Sequence, residues 1–167
     1  MAITLDQLLE SRDRRAAHQK DLLGRYPGKS LLCMTVQLPG AEKRNALSLR
    51  IAAAGVAAIR EAFGPSYEEL QDLETGYEAY FLVPMPPQEA KRRCCTLEEI
   101  HPLGRLMDID VLGPDGIPIE RAALGLPPRP CLLCGRPARV CMRAKNHSQA
   151  ELLAEIRRRI TDYCNNS

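Results

Sequence analysis

Two stretches of this 167-residue chain hold side chains able to do chemistry. In HPLGRLMDIDVLGPDG, residues 101–116, Asp108 and Asp110 sit among Leu106, Met107, Ile109, Val111 and Leu112. A strand of that composition must expose two such charges or pair them, because an unpaired carboxylate is costly to bury. Alternate side chains of a strand share a face, so both carboxylates point the same way, about 7 Å apart at the backbone. They can then converge on one divalent cation while Met107, Ile109 and Val111 pack the opposite face. Mg2+ bound by one or two carboxylates plus substrate phosphates is the usual arrangement for phosphoryl transfer. Gly104 would permit close approach of a ligand, Arg105 would answer a phosphate, and His101 would act as acid or base. The alternative is a solvated face on which the aspartates pair with Arg105, Arg121 or a neighbouring lysine and His101-Pro102 only forms a turn.

The second stretch runs Cys131-x2-Cys134-Gly135, then Cys141 and His147, a C-x2-C-x6-C-x5-H spacing. Three thiols and an imidazole within 17 residues match a closed tetrahedral zinc site, with Gly135 in the knuckle turn. Structural Zn2+ would pin this loop to the last helix. Against it stands a set of free thiols buried as small hydrophobes. A redox use of the C-x-x-C lacks the strand feeding directly into a helix.

The elements that must position these groups follow from pattern. Thr4-x-x-Gln7 is a capping box that opens a first helix, ended by Gly24 and Pro27. Its middle, SRDRR at 11–15, offers Arg12, Arg14 and Arg15 to phosphates or simply makes charged surface. SLLCMTVQL at 30–38 alternates as a strand, and the Ala-rich 44–62 reads as a helix with small residues for close packing on a sheet. SYEELQDLE at 66–74 is ambiguous, YEAYFLV at 77–83 is a strand, and 87–100 is a helix with prolines at its start. A strand over 105–112 then turns through GPDG into a short edge extension at Ile117–Ile119. Beyond residue 125 neither helix nor strand period is visible until Ser148-x-x-Glu151 opens a final helix whose inner stripe is Leu152, Ile156, Ile160 and Tyr163.

This order predicts an α+β fold, either the split βαβ (ferredoxin-like) arrangement or a nucleotidyltransferase-like mixed sheet. We expect one domain over 1–167: an N-terminal helix to 28, an α/β core over 29–120, and a Cys-rich loop with a C-terminal helix over 121–167. No apolar run approaches the roughly 18 residues of a membrane span. The N-terminus lacks the apolar core of a signal peptide, so a cytoplasmic place is expected, and there seven cysteines are thiols or metal ligands. Net charge is +2, but residues 121–160 carry +7 and the rest −5, so an acidic partner or polyphosphate meets the C-terminal part first.

SRD at 11–13, HPLGRLMDIDVLGPDG at 101–116 and RPCLLCGRPARVCMRAKNH at 129–147 together resemble the citrate lyase holo-acyl carrier protein synthase family, the apo-citrate lyase phosphoribosyl-dephospho-CoA transferases. The resemblance spans nearly the whole chain. It implies transfer of the prosthetic group from 2′-(5″-triphosphoribosyl)-3′-dephospho-CoA to a serine of the apo-acyl carrier subunit of citrate lyase, with pyrophosphate released. The matching positions are Arg12, Asp13, His101, Gly104, Arg105, Asp108, Asp110, Cys131, Cys134, Cys141, Arg143 and His147. On them we place Mg2+ at Asp108 and Asp110, the substrate phosphates at Arg12, Arg105 and Gly104, and catalytic roles at the two aspartates and His101. The chain departs from the family at Arg14, where an acidic residue is usual, and at Met107, where Trp is usual. A zinc-knuckle module that binds nucleic acid is the competing reading, weakened because Tyr163 is the only aromatic residue after position 120.

Overall fold

The capping box forms as the sequence predicts. Thr4 Oγ1 accepts from Gln7 N while the Gln7 side chain accepts from Thr4 N, and α1 (Leu5–Arg25) follows. The computed structural model describes residues 1–167 and continues with β1 (Ser30–Val36), α2 (Ala46–Phe63), β2 (Tyr67–Leu73), β3 (Gly76–Val83) and α3 (Pro87–Ile100). A 3-10 turn at Gly104–Leu106 leads into β4 (Met107–Leu112), and α4 (Ala138–Ala144) and α5 (Gln149–Asn165) close the chain.

The sheet order is β2-β3-β1-β4, and every neighbouring pair is antiparallel. Thus β1 and β2 run parallel with β3 between them, and β3 and β4 run parallel with β1 between them. Two interleaved split βαβ units make this an α+β fold. The mixed sheet does not form, because no parallel strands are adjacent. Ambiguous residues 66–74 supply an edge strand. Its charges are partnered, Glu68 by Arg60 of α2 and Asp72 by Arg44, which keeps this edge polar.

One sheet face carries Leu32, Met34, Phe81, Val83, Met107, Ile109 and Val111 into a core with α2, α3 and α5. Gly55 is the closest point of α2, since a Cβ there would strike the Met34 sulfur. The inner stripe of α5 uses Leu153, Ile156, Ile160 and Tyr163, so Leu152 yields its expected place to its neighbour. The other face is covered by α1 alone, through Leu22 and Leu23 against Leu31, Cys33, Tyr80, Leu82 and Leu112. Asp108 and Asp110 lie on this second face. No helix is long and apolar enough to cross a membrane.

Candidate functional site

Strand register fixes the neighbours of the aspartates. Thr35 of β1 is paired with Asp108 on one side and Glu78 of β3 on the other, and Cys33 is flanked likewise by Asp110 and Tyr80. Above these rows α1 runs in the direction of β4. Leu23 packs by Leu112, Gln19 lies close enough to Cys33 to bear on its thiol, and Arg15 Nε donates to Glu78 Oε1 at 3.1 Å. Arg12, Gln19 and Leu23 share one helical flank, at spacings of seven and eleven residues. Arg12 therefore leans toward β4, exposed and without a protein partner.

Asp108 accepts from Gln37 Nε2 at 3.1 Å and lies 3.5 Å from Arg129 Nη1. Asp110 has no side-chain hydrogen bond or ion pair and is exposed to solvent. Protein on several sides still strips enough water from its carboxyl to raise its pKa, and the charge of Asp108 adds to that. The pairs proposed for a merely solvated face do not form: Arg105 turns to the Pro130 carbonyl, and Arg121 to Glu98 and Glu99.

As the outer strand, β4 has a free edge, and α3 satisfies it with two buried charges. Lys91 Nζ donates to Ile109 O at 3.1 Å, and Glu98 Oε2 accepts from Ile109 N at 3.3 Å. Glu98 also pairs with Arg121 and Arg129, at 3.1 and 3.3 Å. Burial raises the Glu98 carboxyl even so, with Arg129, Lys91 and Arg121 opposing. Arg129 donates in addition to the carbonyls of Gly104, Arg105 and Met107, which locks the start of β4. None of Lys91, Glu98, Glu78 or Arg129 stands out in sequence, because charges on a helix or beside a turn read as solvated surface. The only signal is the seven-residue spacing of Lys91 and Glu98, which puts both on the inner face of α3.

Three expected site residues have other occupations. A Cβ on Gly104 would sit 2.6 Å from the Leu97 carbonyl oxygen, so the close approach it allows is to the backbone of α3, where we expected a ligand. Arg105 Nε donates to Pro130 O at 2.6 Å, tying the Cys-rich segment to β4; burial, then Arg129 beside it, lowers its pKa to about 10. His101 ends α3, accepts from Leu103 N at 3.0 Å through Nδ1, and packs on the Tyr163 ring of α5. It makes no hydrogen bond to either aspartate.

The thiols and imidazole of the second stretch do come together. Pro130 and Pro137 bridge, Cys131 N donates to Arg136 O, and the knuckle between them brings Cys131 and Cys134 to one side. The short helix α4, unseen in the sequence pattern, delivers Cys141. Lys145 then takes a left-handed φ of 50° at its end and turns the chain so that His147 returns to the cluster. The ligand atoms of Cys131, Cys134, Cys141 and His147 all lie within 4.8 Å of one another. His147 Nε2 is buried with no hydrogen-bond partner, and the Arg136 backbone N–H, then His147, hold the Cys134 thiol down to about 6. This cluster has the geometry to hold a metal ion. All seven cysteines are free of disulfides.

Fold and site define a split-βαβ protein with an acidic pair on one sheet face, arginines around it, and a separate Cys3His cluster braced against the same strand. The chain belongs to the transferase family described as apo-citrate lyase phosphoribosyl-dephospho-CoA transferase, whose family profile matches residues 3–163. A probable enzyme of that name from Streptococcus pyogenes serotype M18 is 36% identical, covering 98% of this chain and 88% of its own length. A probable enzyme of the same name from Vibrio cholerae serotype O1 is 38% identical, covering 98% and 94%. The Escherichia coli O139:H28 protein of that name is 37% identical, covering 96% and 90%.

Proposed function

We propose that the chain transfers the phosphoribosyl-dephospho-CoA group from 2′-(5″-triphosphoribosyl)-3′-dephospho-CoA to a serine hydroxyl of the apo-acyl carrier subunit of citrate lyase. The serine oxygen bonds to the phosphorus attached to the ribose, the bond to pyrophosphate breaks, and the hydroxyl proton leaves to a base. Family membership supports this reading over a nucleic-acid module. The single observation that carries its mechanism is Asp110, an accessible carboxylate with a raised pKa and no protein partner beside a second carboxylate on the same face.

Two hard oxygen donors on one rigid strand suit Mg2+, which when bound neutralises charge on the attacked phosphorus and the departing pyrophosphate. Asp108 and Asp110 would hold it. Gln37 and Arg129 orient Asp108, and Lys91 and Glu98 keep β4 in register, so the carboxylates are fixed before substrate arrives. Arg12, unpaired on the β4 flank of α1, meets the phosphates as they enter. The Cys3His cluster suits Zn2+: tetrahedral Zn–S bonds of ~2.3 Å put sulfurs roughly 3.8 Å apart, and Cys134 and Cys141 lie 3.4 Å apart. Its soft donors and buried, partnerless His147 nitrogen fit a closed structural site, with Arg105 and Arg129 linking it to β4.

The test is to incubate the protein with apo-carrier subunit, the triphosphoribosyl donor and Mg2+, and to weigh the carrier by mass spectrometry. The expected result is a mass increase equal to the phosphoribosyl-dephospho-CoA group on one serine. An unmodified carrier under conditions where the protein is folded rejects the proposal.

A further inference from the structure

We infer that Arg15 is a binding residue for the pyrophosphate portion of the donor, and that the buried Glu78 is its positioning residue. This deepens the transferase reading and rests on it. Glu78 is 2% exposed, on the same sheet face as the aspartates, one strand beyond Thr35 from Asp108. A carboxylate this buried needs strong partners. It has them: Arg15 Nε at 3.1 Å on Oε1 and the Tyr80 hydroxyl donating to Oε2. The Tyr80 ring is held in turn by an edge contact from His18, with centroids 4.7 Å apart.

An arginine that serves only to neutralise a buried acid is expected to offer its two-nitrogen edge. Arg15 instead uses Nε, and neither terminal nitrogen makes a hydrogen bond to protein. Its side chain remains 24% exposed, so the free edge is open to a ligand. Two strand spacings separate the backbones of Glu78 and Asp108, about 10 Å. A guanidinium seated on Glu78 and a cation seated on the aspartates therefore flank a gap of the size a diphosphate spans. Bidentate pairing of a guanidinium with phosphate oxygens is the strong form of that contact. Arg12 and Arg14 lack this anchoring: Arg12 is unpaired, and Arg14 reaches Glu78 only at 4.0 Å.

Calorimetric titration with inorganic pyrophosphate and Mg2+ tests the site without the carrier. Arg15→Ala should weaken pyrophosphate binding roughly 10- to 100-fold, Arg15→Lys should recover part of it, and Arg25→Ala on the same helix should leave it unchanged. In the transfer assay kcat/KM for the donor should fall by the same factor in Arg15→Ala, with KM for the carrier unaltered. Glu78→Gln keeps shape and the Tyr80 contact but removes the charge that seats Arg15. It should cost about 5- to 10-fold alone and nothing further in the Arg15→Ala background. Equal pyrophosphate binding by Arg15→Ala and the unsubstituted chain, or no binding by the latter, overturns the Arg15 assignment. Full additivity of Glu78→Gln with Arg15→Ala overturns the positioning role. A carrier left unmodified by the unsubstituted protein rejects the transferase reading while the pyrophosphate titration still judges Arg15.

Discussion

The sheet face at Asp108 and Asp110 and the Cys3His cluster are both sets of ligating groups, yet they are built in opposite ways. The cluster draws its four donors from 17 residues of local chain, closes them within 4.8 Å, and turns them toward one another. The carboxylate face draws on α1, β1, β3, β4 and Arg129, and leaves Asp110 turned outward with no partner. A closed set of soft donors satisfies itself with one ion and keeps no position for substrate. An open pair of hard donors is unsatisfied until something from solution arrives, which is the condition for a reacting site. The prediction that follows is a separation of effects: substitutions on the face should change activity, and substitutions in the cluster should change stability.

The largest effect is expected on the face. Asp110→Asn should reduce transfer at least about 10³-fold, measured as the rate of mass gain on the carrier, while the thermal midpoint stays the same or rises slightly. The slight rise follows because the substitution removes a like charge from beside Asp108. Asp108→Asn should be nearly as inactive. If either variant transfers at the normal rate, the pair does not hold the reacting phosphates. In the cluster, Cys134→Ser or a strong chelator should release one equivalent of zinc, read by metal analysis, and lower Tm by roughly 10 °C through loss of several kcal/mol of coupled binding and folding. Transfer at low temperature should survive in part, since Arg129 can still reach the carbonyls of Gly104 and Arg105. Complete loss of transfer with an unchanged Tm would erase the distinction between the two regions.

Legibility in the sequence divides along the same line. The cluster is readable because its ligands are local and of rare type, so their spacing picks out all four, although α4 and the left-handed turn at Lys145 that bring them together do not show. The strand order is readable because hydrophobic period marks β1, β3, α2 and α3, although β2 is obscured by Glu68 and Asp72, whose partners Arg60 on α2 and Arg44 just before it are brought beside the strand only by the fold. Asp108 and Asp110 show their shared face by alternation. What surrounds them does not show, because Glu78, Arg15, Lys91 and Glu98 become neighbours only through sheet register and helix docking. Among the first-helix arginines, sequence motif favours Arg12 and burial favours Arg15, since only a docked helix reveals that Ser11, Arg15 and Leu22 form its inner side. Gly104 shows the same limit: a glycine signals close approach, but only the fold says that the approaching atoms are the carbonyls of Leu97 and Glu98.

The smallest effect concerns His101, which adjoins the strand of the carboxylate face in sequence but belongs to the α3–α5 contact in space. Its pKa is lowered by burial, and Leu103 N donates to Nδ1, which must be unprotonated to accept. An imidazole whose folded pKa lies below its ordinary value near 6.5 binds fewer protons folded than unfolded over that interval. Its contribution to stability is therefore complete above about pH 6.5, and is lost as pH falls from there toward the folded value. His101→Gln removes the titration. The difference between Tm at pH 7 and at pH 5 should shrink by roughly 1–3 °C relative to the unsubstituted chain, while transfer at pH 7 stays within about 3-fold, since a general acid or base would be worth at least ~10²-fold. A loss of 10²-fold or more with unchanged Tm at pH 7 would return His101 to the reacting groups, and would mean that the α3–α5 junction opens toward the sheet face when substrate binds.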